Sequence, residues 1–276
     1  MHGSQFSTRD RTNAPGASVK VPRLTSNRVN DRRTVAEECP VALVYDGTTV
    51  AVLMASPTDL ADLAVGFSLT EGIVQDISEI EELDIIAGSD GIELRMWLRA
   101  DSGRSLKERQ RRLVGPTGCG LCGIESLQEA RRISPPITRE IFLTPGQVGR
   151  AVETLAASQE LNRETRAAHA AGFFIPGEGN MTVREDVGRH NALDKLVGAL
   201  ATANVPGRAG AVVLTSRVSV EMVQKAAAMG TAIIIAISAP TGLAIRTADA
   251  SGITLVGIAR GRDFEVFSHS AGIALY

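Results

Sequence analysis

Two of the three cysteines in this chain of 276 residues lie together in one short, glycine-rich stretch. Cys119 and Cys122 are three positions apart, and Gly118, Gly120 and Gly123 surround them. Thiols at this spacing can approach each other, and glycines lack the Cβ atoms that would block a bulky partner molecule. The stretch therefore predicts a site for sulfur chemistry.

The two cysteines support three chemical interpretations. Cys-x-x-Cys supplies half of many tetrahedral zinc sites, but Cys39 and the four histidines of the chain form no second close pair. A redox-active dithiol of the thioredoxin kind uses the same spacing, although that motif normally follows an early strand in a small domain. The third interpretation is a persulfide carrier, in which one thiolate accepts a sulfur atom from a donor and passes it to an acceptor.

A persulfide carrier needs a cysteine that is ionised at neutral pH. We expect a helix to begin at Ile124, directly after the loop, and the positive end of a helix lowers the pKa of a nearby thiol. Arg109, Arg111 and Arg112 precede the loop and would act in the same direction. These residues favour a reactive thiolate, while the zinc and dithiol interpretations stay open at this point.

A second concentration of polar side chains spans residues 184–191, with the sequence Arg-Glu-Asp-Val-Gly-Arg-His-Asn. An exposed charged loop is the usual explanation for such a run. Because the run ends where a helix is expected to begin, it also predicts an anion pocket in which Arg184 and Arg189 donate hydrogen bonds. His169 precedes an apolar strand and is expected to be a structural histidine.

Two further polar segments, residues 215–219 and 238–242, follow expected strands and precede expected helices. In open α/β sheets, ligands bind at the carboxyl ends of the strands, where backbone amides favour phosphate groups. Arg260 and Arg262 add two cations after the last of these strands. Helix capping explains the Ser and Thr residues equally well, but the combination favours an anion site.

The composition and the absence of common motifs restrict the functional class. The chain has 44% apolar residues and a net charge of -2, which indicate a globular protein without global attraction to nucleic acid or anionic membranes. Three cysteines argue against a secreted disulfide framework. The longest apolar run, residues 231–239, is too short to span a bilayer, and no signal peptide is recognisable. The chain contains neither a Walker phosphate loop nor a Gly-x-Gly-x-x-Gly sequence, which argues against an ordinary ATP or NAD enzyme. We expect a cytoplasmic protein.

Hydrophobic patterns divide the chain into three parts. Residues 1–33 contain seven basic residues and two aspartates without an apolar period, which predicts a flexible basic tail. Residues 34–135 are expected to form a smaller α+β part that ends in the cysteine loop, and residues 136–276 an α/β cofactor-binding domain. In the smaller part we expect hairpins over 41–54, turning at Asp46-Gly47, and over 83–98, with a helix over 58–71 that Ser56 caps.

The last part alternates between helices and strands, which predicts parallel strands joined by crossover helices. Further helices are expected over 105–112, 124–132 and 144–161, with a short strand over 172–175. The alternating elements are a helix over 192–203, a strand over 211–215, a helix over 219–229, a strand over 232–238, a helix over 240–250, a strand over 253–258, and a closing strand over 264–267.

Beyond these individual features, several motifs occur together in an order typical of one family. The chain resembles the FdhD sulfurtransferases, which serve formate dehydrogenase maturation, over nearly everything after residue 33. The motifs are Pro57-x-Asp59-Leu60-x-Asp62-Leu63-Ala64-x-Gly66-Phe67 with Glu71-Gly72, the Gly-Cys-Gly-x-Cys-Gly loop, residues 184–195, Ser238-Ala239-Pro240-Thr241, and Thr254-Leu255-x-Gly257.

The resemblance implies a carrier that accepts sulfur from a cysteine desulfurase as a cysteine persulfide. The acceptor would be the molybdenum (or tungsten) bis(molybdopterin guanine dinucleotide) cofactor, before its insertion into the formate dehydrogenase apoenzyme. Cys119 matches the catalytic, persulfide-bearing position, and Cys122 is a second participant. The family also implies a cytidine deaminase-like fold and a homodimer. From the residue spacing, we expect no metal ligands. Its cofactor-contacting stretch falls on Ile258, Ala259, Arg260, Gly261, Arg262 and Asp263, with Ile258 in place of the usual aromatic residue.

Two other functions compete with this interpretation. A cofactor-binding chaperone would shield the cofactor without using the cysteines. A zinc-dependent, deaminase-like hydrolase would need a catalytic Glu two residues after a metal ligand, but His169 is followed at that spacing by Ala171. Pro116 is also not adjacent to the cysteine pair, as that chemistry requires.

Overall fold

Two main β-sheets and the helices between them make up most of the described structure, a computed structural model that covers residues 6–11, 14–26, 30–99 and 135–274. Both cysteines of the glycine-rich loop lie outside these ranges. The helices expected over 105–112 and 124–132 also lie outside them.

The first sheet has five strands in the order β1-β6-β7-β4-β5. They are β1 (Ser7–Arg11), β4 (Cys39–Tyr45), β5 (Thr48–Ala55), β6 (Ile80–Ala87) and β7 (Ile92–Leu98). Both predicted hairpins, β4–β5 and β6–β7, are confirmed. The first turns through Asp46 (φ 48°) and Gly47 (φ 79°), the left-handed conformations that this dipeptide tolerates. The two hairpins join through the parallel pair β4–β7.

The N-terminal segment that we expected to be a flexible tail contains strands. In addition to β1, the pair β2 (Ser18–Leu24) and β3 (Asn30–Ala36) forms a small antiparallel sheet. β1 pairs with β6, Arg9 forms an ion pair with Glu82, and Phe6 is buried in the core of the first sheet. The prediction was therefore wrong for the described residues up to 33. The strands were not predicted because they are stabilised by backbone pairing and ion pairs. Such strands need no alternation of apolar residues in the sequence.

Helix α1 (Leu60–Thr70) packs against the first sheet through Leu63 and Ala64. It ends before Gly72, whose φ of 66° suits a helix terminus. The expected N-cap residue, Ser56, does not cap the helix. Asp59 takes that position in a left-handed conformation, and Ser56 is fully buried elsewhere.

The second sheet has six strands in the order β13-β12-β11-β10-β8-β9. Its parallel centre, β10 to β12, confirms the predicted alternation of strands and helices, and β13 closes the sheet as an antiparallel hairpin. The strands are β8 (His169–Phe174), β9 (Thr182–Asp186), β10 (Ala211–Leu214), β11 (Ile233–Ala236), β12 (Thr254–Arg260) and β13 (Asp263–Ser268).

Helices cover both faces of the second sheet. Helix α2 (Pro145–Ser158) packs on one face, and the short α3 (Glu160–Thr165) follows it, so the single helix predicted over 144–161 is divided at Gln159. The opposite face is covered by α4 (Arg189–Thr202), α5 (Val220–Ala228) and α6 (Gly242–Ala250). The described fold is thus mixed α/β; the cytidine deaminase-like detail stays a prediction.

Helices α1 and α4 join the two sheets, and two glycines bring their backbones together. A Cβ atom added at Gly66 would lie 1.7 Å from the carbonyl oxygen of Asp194. One added at Gly198 would lie 2.0 Å from the carbonyl oxygen of Asp62. Any side chain at either position would push the helices apart, so this contact sets the distance between the sheets.

None of the helices within the described ranges combines the length and the apolar character that a membrane crossing requires.

We predict that Gly66→Ala lowers the free energy of unfolding by about 3 kcal/mol or more, because its methyl group would overlap backbone atoms that cannot rotate away. Gly146→Ala is the matched control. It also lies in a helix, but its Cβ would meet nothing within 4 Å, so the change should be small or stabilising. Urea unfolding of both variants measures the difference, and equal effects would contradict the tight contact.

Candidate functional site

The carboxyl ends of β10, β11 and β12 form one edge of the second sheet, which we call the carboxyl edge. The loops that follow these strands are bonded to one another. The amide of Val218 donates to the carbonyl of Ala239 at 3.3 Å, and the amide of Ile258 donates to the carbonyl of Ser238 at 3.1 Å. The structure therefore brings residues 215–219, 238–242 and 258–263 together, as expected from the sequence.

The six residues that resemblance assigned to the cofactor, 258–263, form the end of β12 and the turn into β13. Ile258 has a φ of 54°, which is costly for a β-branched residue, and it is 37% exposed. Ala259 is buried in the core that faces α2. Gly261 has a φ of 58°, as the turn requires. The exposed residues of the turn are Arg260, Gly261, Arg262 and Asp263.

This turn has the chemistry to hold an anion. Arg260 and Arg262 are two exposed guanidinium groups at the carboxyl edge, and guanidinium groups bind phosphate oxygens through paired hydrogen bonds. Ile258 offers an apolar surface beside them. The turn therefore fits a ligand that has both phosphate groups and an apolar ring.

In the polar run at residues 184–191, Arg184 has a different role from the anion binding that we expected of it. Arg184 donates to Asp62 at 2.7 Å and lies 3.5 Å from Asp59. It also donates to the carbonyl of Val183 at 2.9 Å. Because both carboxylates come from the start of α1, Arg184 joins the two sheets, and the prediction that it binds an anion is not supported.

A fully buried ion pair lies beside this contact. Lys195 is 2.6 Å from Asp186, and both side chains are completely shielded from solvent. Lys195 also donates to the carbonyl of Ser56 at 2.9 Å, and the amide of Ser56 donates to Asp186 at 3.0 Å. Asn191 donates to Asp186 at 3.0 Å and to the carbonyl of Met54 at 2.8 Å. This network connects β9 and α4 to the end of β5.

A second buried network connects α1, α4 and α5. Lys225 lies 2.9 Å from Asp194 and 2.7 Å from Glu71, and it donates to Thr70 at 2.9 Å. Burial lowers the pKa of Lys225, but Asp194 and Glu71 outweigh this effect, so the net pKa shift is upward. The lysine is therefore held as a cation. Sequence reasoning missed it, although charged residues on mostly apolar helices are a usable signal of such pairs.

Two histidines lie next to these networks. Burial, followed by the positive charge of Arg189, lowers the pKa of the half-buried His169, and Asp186 opposes the shift. Burial and then Arg189 also lower the pKa of His190, to about 4. At neutral pH, His190 is thus an uncharged imidazole.

Of the three cysteines, only Cys39 lies within the described residues. It opens β4 and is partly buried, and this burial raises the pKa of its thiol. A raised pKa is the opposite of what a nucleophilic thiolate needs. Cys39 is therefore unsuited to sulfur transfer, while Cys119 and Cys122 stay candidates from the sequence alone.

Residues 36–274 match the model of the FdhD/NarQ family. This chain is a member of the FdhD/NarQ family.

Relatives within FdhD/NarQ cover most of the chain. A protein of Agrobacterium fabrum named "Sulfur carrier protein FdhD" is 52% identical over 244 residues, which cover 88% of this chain and 90% of the relative. A protein of the same name from Cupriavidus necator is 46% identical over 236 residues, covering 85% and 82%. The solved structure of a protein described as a formate dehydrogenase accessory protein, from Desulfotalea psychrophila, has a similar fold. Its TM-score is 0.73 at 24% identity, over 93% of this chain and 98% of that one.

The residues that carry the FdhD/NarQ resemblance lie largely at the junction of the two sheets. Asp62 forms an ion pair with Arg184, and Glu71 forms one with Lys225. Gly66 lies against the backbone carbonyl of Asp194. We infer that this part of the motif pattern reflects the contact between the two sheets, whereas residues 258–263 lie at the carboxyl edge.

We predict that Lys195→Met lowers the free energy of unfolding by about 3–5 kcal/mol, because Asp186 would remain buried without its partner. The control is Arg23→Met, which breaks the exposed pair between Arg23 and Asp31 and should change the stability much less, because water screens that pair. Denaturant unfolding measures both. Similar small losses would show that the buried pair contributes little.

We predict that the protein loses stability as the pH falls from about 6.5 towards about 4, in part through His190. An unfolded histidine takes up a proton near pH 6.5, roughly its ordinary pKa, whereas folded His190 does so only near pH 4. Between these values the unfolded state binds more protons, so lowering the pH favours it. His190→Gln should reduce the slope of unfolding free energy against pH, and an unchanged slope would contradict the low pKa.

Proposed function

We propose that this protein is a sulfur carrier that supports the maturation of formate dehydrogenase. It accepts sulfur from a cysteine desulfurase as a persulfide and transfers that sulfur to the molybdenum bis(molybdopterin guanine dinucleotide) cofactor, which is its substrate. The single observation that carries the proposal is the match to FdhD/NarQ over residues 36–274, together with relatives named sulfur carrier proteins at up to 52% identity.

The loading step uses the thiolate of Cys119. It attacks the terminal sulfur of the desulfurase persulfide, so a new S–S bond forms on Cys119 as the old one breaks. The desulfurase cysteine leaves as a thiolate. The basic residues Arg109, Arg111 and Arg112 support this step, because positive charge keeps a thiol ionised. The partly buried Cys39, with its raised pKa, takes no part.

The release step must supply two electrons, because a persulfide sulfur has to become a sulfide ligand of the metal. We assign this role to Cys122, which lies three residues from Cys119. Its thiolate attacks the Cys119 sulfur and forms a disulfide while sulfide passes to the metal, so atoms and electrons balance. An external thiol then reduces the disulfide.

The acceptor is held at the carboxyl edge in this proposal. Arg260 and Arg262 bind pyrophosphate oxygens of the cofactor, and Ile258 contacts one of its rings through apolar surface. The supporting observation is that the six residues assigned by resemblance form one turn with two exposed cations. Two copies of the chain would act together as a homodimer, which is also part of the proposal.

We predict that Cys119→Ala abolishes both the transfer of radiolabelled sulfur from a cysteine desulfurase and the activation of formate dehydrogenase. Cys122→Ala should still accept sulfur but should not support activation, because it cannot release sulfide. Cys39→Ala, which removes only the third cysteine of the chain, is the control and should behave as the wild type in both assays.

One outcome separates this proposal from its main competitor. Full activation of formate dehydrogenase by the Cys119→Ala/Cys122→Ala double variant would contradict sulfur transfer and would favour a chaperone that only shields the cofactor. Loading of sulfur on the Cys119→Ala variant would instead assign the persulfide to another residue.

A further inference from the structure

Strand β1 covers one edge of the first sheet, which is formed by strand β6. The strand order is β1-β6-β7-β4-β5, so β6 would be the terminal strand if β1 were displaced. The two strands pair in parallel over five residues, from Ser7 opposite Glu82 to Arg11 opposite Ile86. A terminal strand presents unpaired N–H and C=O groups that bind other extended segments. The edge of β6 is therefore a strand acceptor, which this chain fills with its own residues.

Two side chains anchor the segment that fills this edge. The ring of Phe6 is buried in the core of the first sheet. Arg9 forms an ion pair with Glu82, although about half of the Arg9 side chain is exposed. Because side chains alternate between the two faces of a strand, residues three positions apart point to opposite faces. The anchoring pattern is thus an aromatic residue for the core face and, three positions later, an arginine for the other face.

Two carboxylates of β6 receive this arginine. Leu83 and Ile85 are buried in the core of the first sheet. Since side chains alternate along the strand, Glu82 and Asp84 point to the opposite face. Arg9 lies directly opposite Asp84 in the register of the two strands. The edge of β6 therefore places two negative charges where a strand added to it carries its cation.

The carboxylate of Asp84 is not satisfied by the segment that now fills the edge. Asp84 is 7% exposed, and its Oδ1 atom is shielded from solvent without a hydrogen-bond partner among the described residues. Arg9 lies 4.0 Å from this atom, which is too far for a hydrogen bond. Arg95, which lies opposite Asp84 on β7, donates instead to Glu93 at 2.6 Å. Buried polar atoms are rarely left unpaired, so Asp84 indicates an edge that accommodates a better-placed donor.

The acceptor strand and the segment that fills it differ in their relation to the family. Strand β6 lies within residues 36–274, which match FdhD/NarQ, whereas β1 lies before them. Apart from the buried ring of Phe6, residues 7–10 are exposed. Segments with few buried apolar contacts open at a low free energy. Strand β1 is therefore held weakly enough for another segment to replace it.

We propose that the edge of β6 binds an extended basic segment of a partner protein, and that β1 fills this site until that segment displaces it. The partner segment adds as a strand, the mode of recognition called β-augmentation. It carries an aromatic residue in the place of Phe6 and, three positions later, an arginine. The five N–H donors of a guanidinium group allow it to bond Glu82 and Asp84 together. The site is on the first sheet and does not involve the cysteines.

The charges along the edge select this class of partner. Four acidic residues, Glu79, Glu81, Glu82 and Asp84, lie within six positions. They would repel an acidic segment, whereas they attract a basic one. A segment without a cation would leave the carboxylate of Asp84 buried without a donor, which is unfavourable. Charge complementarity therefore requires a basic partner.

The test is fluorescence anisotropy with a labelled peptide that has the sequence of residues 5–12. The full chain is compared with the double variant Phe6→Ala/Arg9→Ala, which weakens the hold of β1 and leaves β6 unchanged. Only molecules with an open edge bind the peptide, so the apparent affinity of the wild type is reduced. We expect the double variant to bind the peptide about tenfold or more tightly than the wild type. Arg9→Ala alone keeps the buried ring and should give a smaller gain.

Further variants, made in the background of the double variant, test the role of the acidic pair. Glu82→Gln and Asp84→Asn should each weaken binding of the peptide, because a neutral amide does not attract the guanidinium group. Glu81→Gln is the matched control, since it removes an exposed carboxylate next to Glu82 and should leave the affinity unchanged. A peptide with alanine in place of its phenylalanine and first arginine should not bind.

Three results would overturn the proposal. The first is equal binding of the peptide by the wild type, the double variant and Arg9→Ala, or no binding by any of them. The second is an affinity that neither Glu82→Gln nor Asp84→Asn changes. The third is a dimer of the wild type that the double variant loses without gaining peptide binding, which would assign β1 to exchange between two copies of this chain.

Discussion

The close contact between α1 and α4 is the constraint on which the rest of the structure depends. Gly66 and Gly198 allow each helix to approach the backbone of the other, where a single added Cβ atom would overlap carbonyl oxygens. Buried ion pairs involving Lys195 and Lys225 lie on either side of this contact. Since a buried charge without its partner is strongly unfavourable, the contacts of Lys225 with Asp194 and Glu71 favour this alignment of α1 and α4.

This alignment also positions the polar edge of the second sheet. Asp186 ends β9 and is bonded to Lys195 and Asn191 on α4, which fixes where α4 begins. Lys225 connects α5 to α1 through Glu71. As a result, buried charged groups fix α4 and α5 relative to β9 and α1.

The sequence was most informative where local physics decides the structure. The Asp46-Gly47 turn and the alternating strands and helices from residue 192 onwards were predicted, because turn conformations and hydrophobic runs are local properties. Strand β1 was missed because it pairs with the distant β6, where Arg9 meets Glu82. Strands β2 and β3 pair with each other, and they were missed because their polar residues show no hydrophobic period. The role of Arg184 was also missed, since its partner Asp62 is 122 positions away.

The candidate site shows the same division. The resemblance assigns residues 258–263 to cofactor contact, which stays a prediction, and these residues form one turn at the carboxyl edge. The buried partners of Lys195 and Lys225 could not be found from the sequence, because only the folded chain reveals which charged groups meet. A charged residue within an otherwise apolar helix, such as Lys195, is the signal that could have revealed the buried pairs.

The central claim is that one sulfur atom is carried on the peptide that contains Cys119 and Cys122. Peptide mass spectrometry after reaction with a cysteine desulfurase and cysteine measures this directly. The account predicts the added mass of one sulfur on that peptide, followed by its loss and the appearance of a disulfide when the acceptor cofactor is supplied. An unchanged peptide under conditions in which formate dehydrogenase becomes active would contradict it.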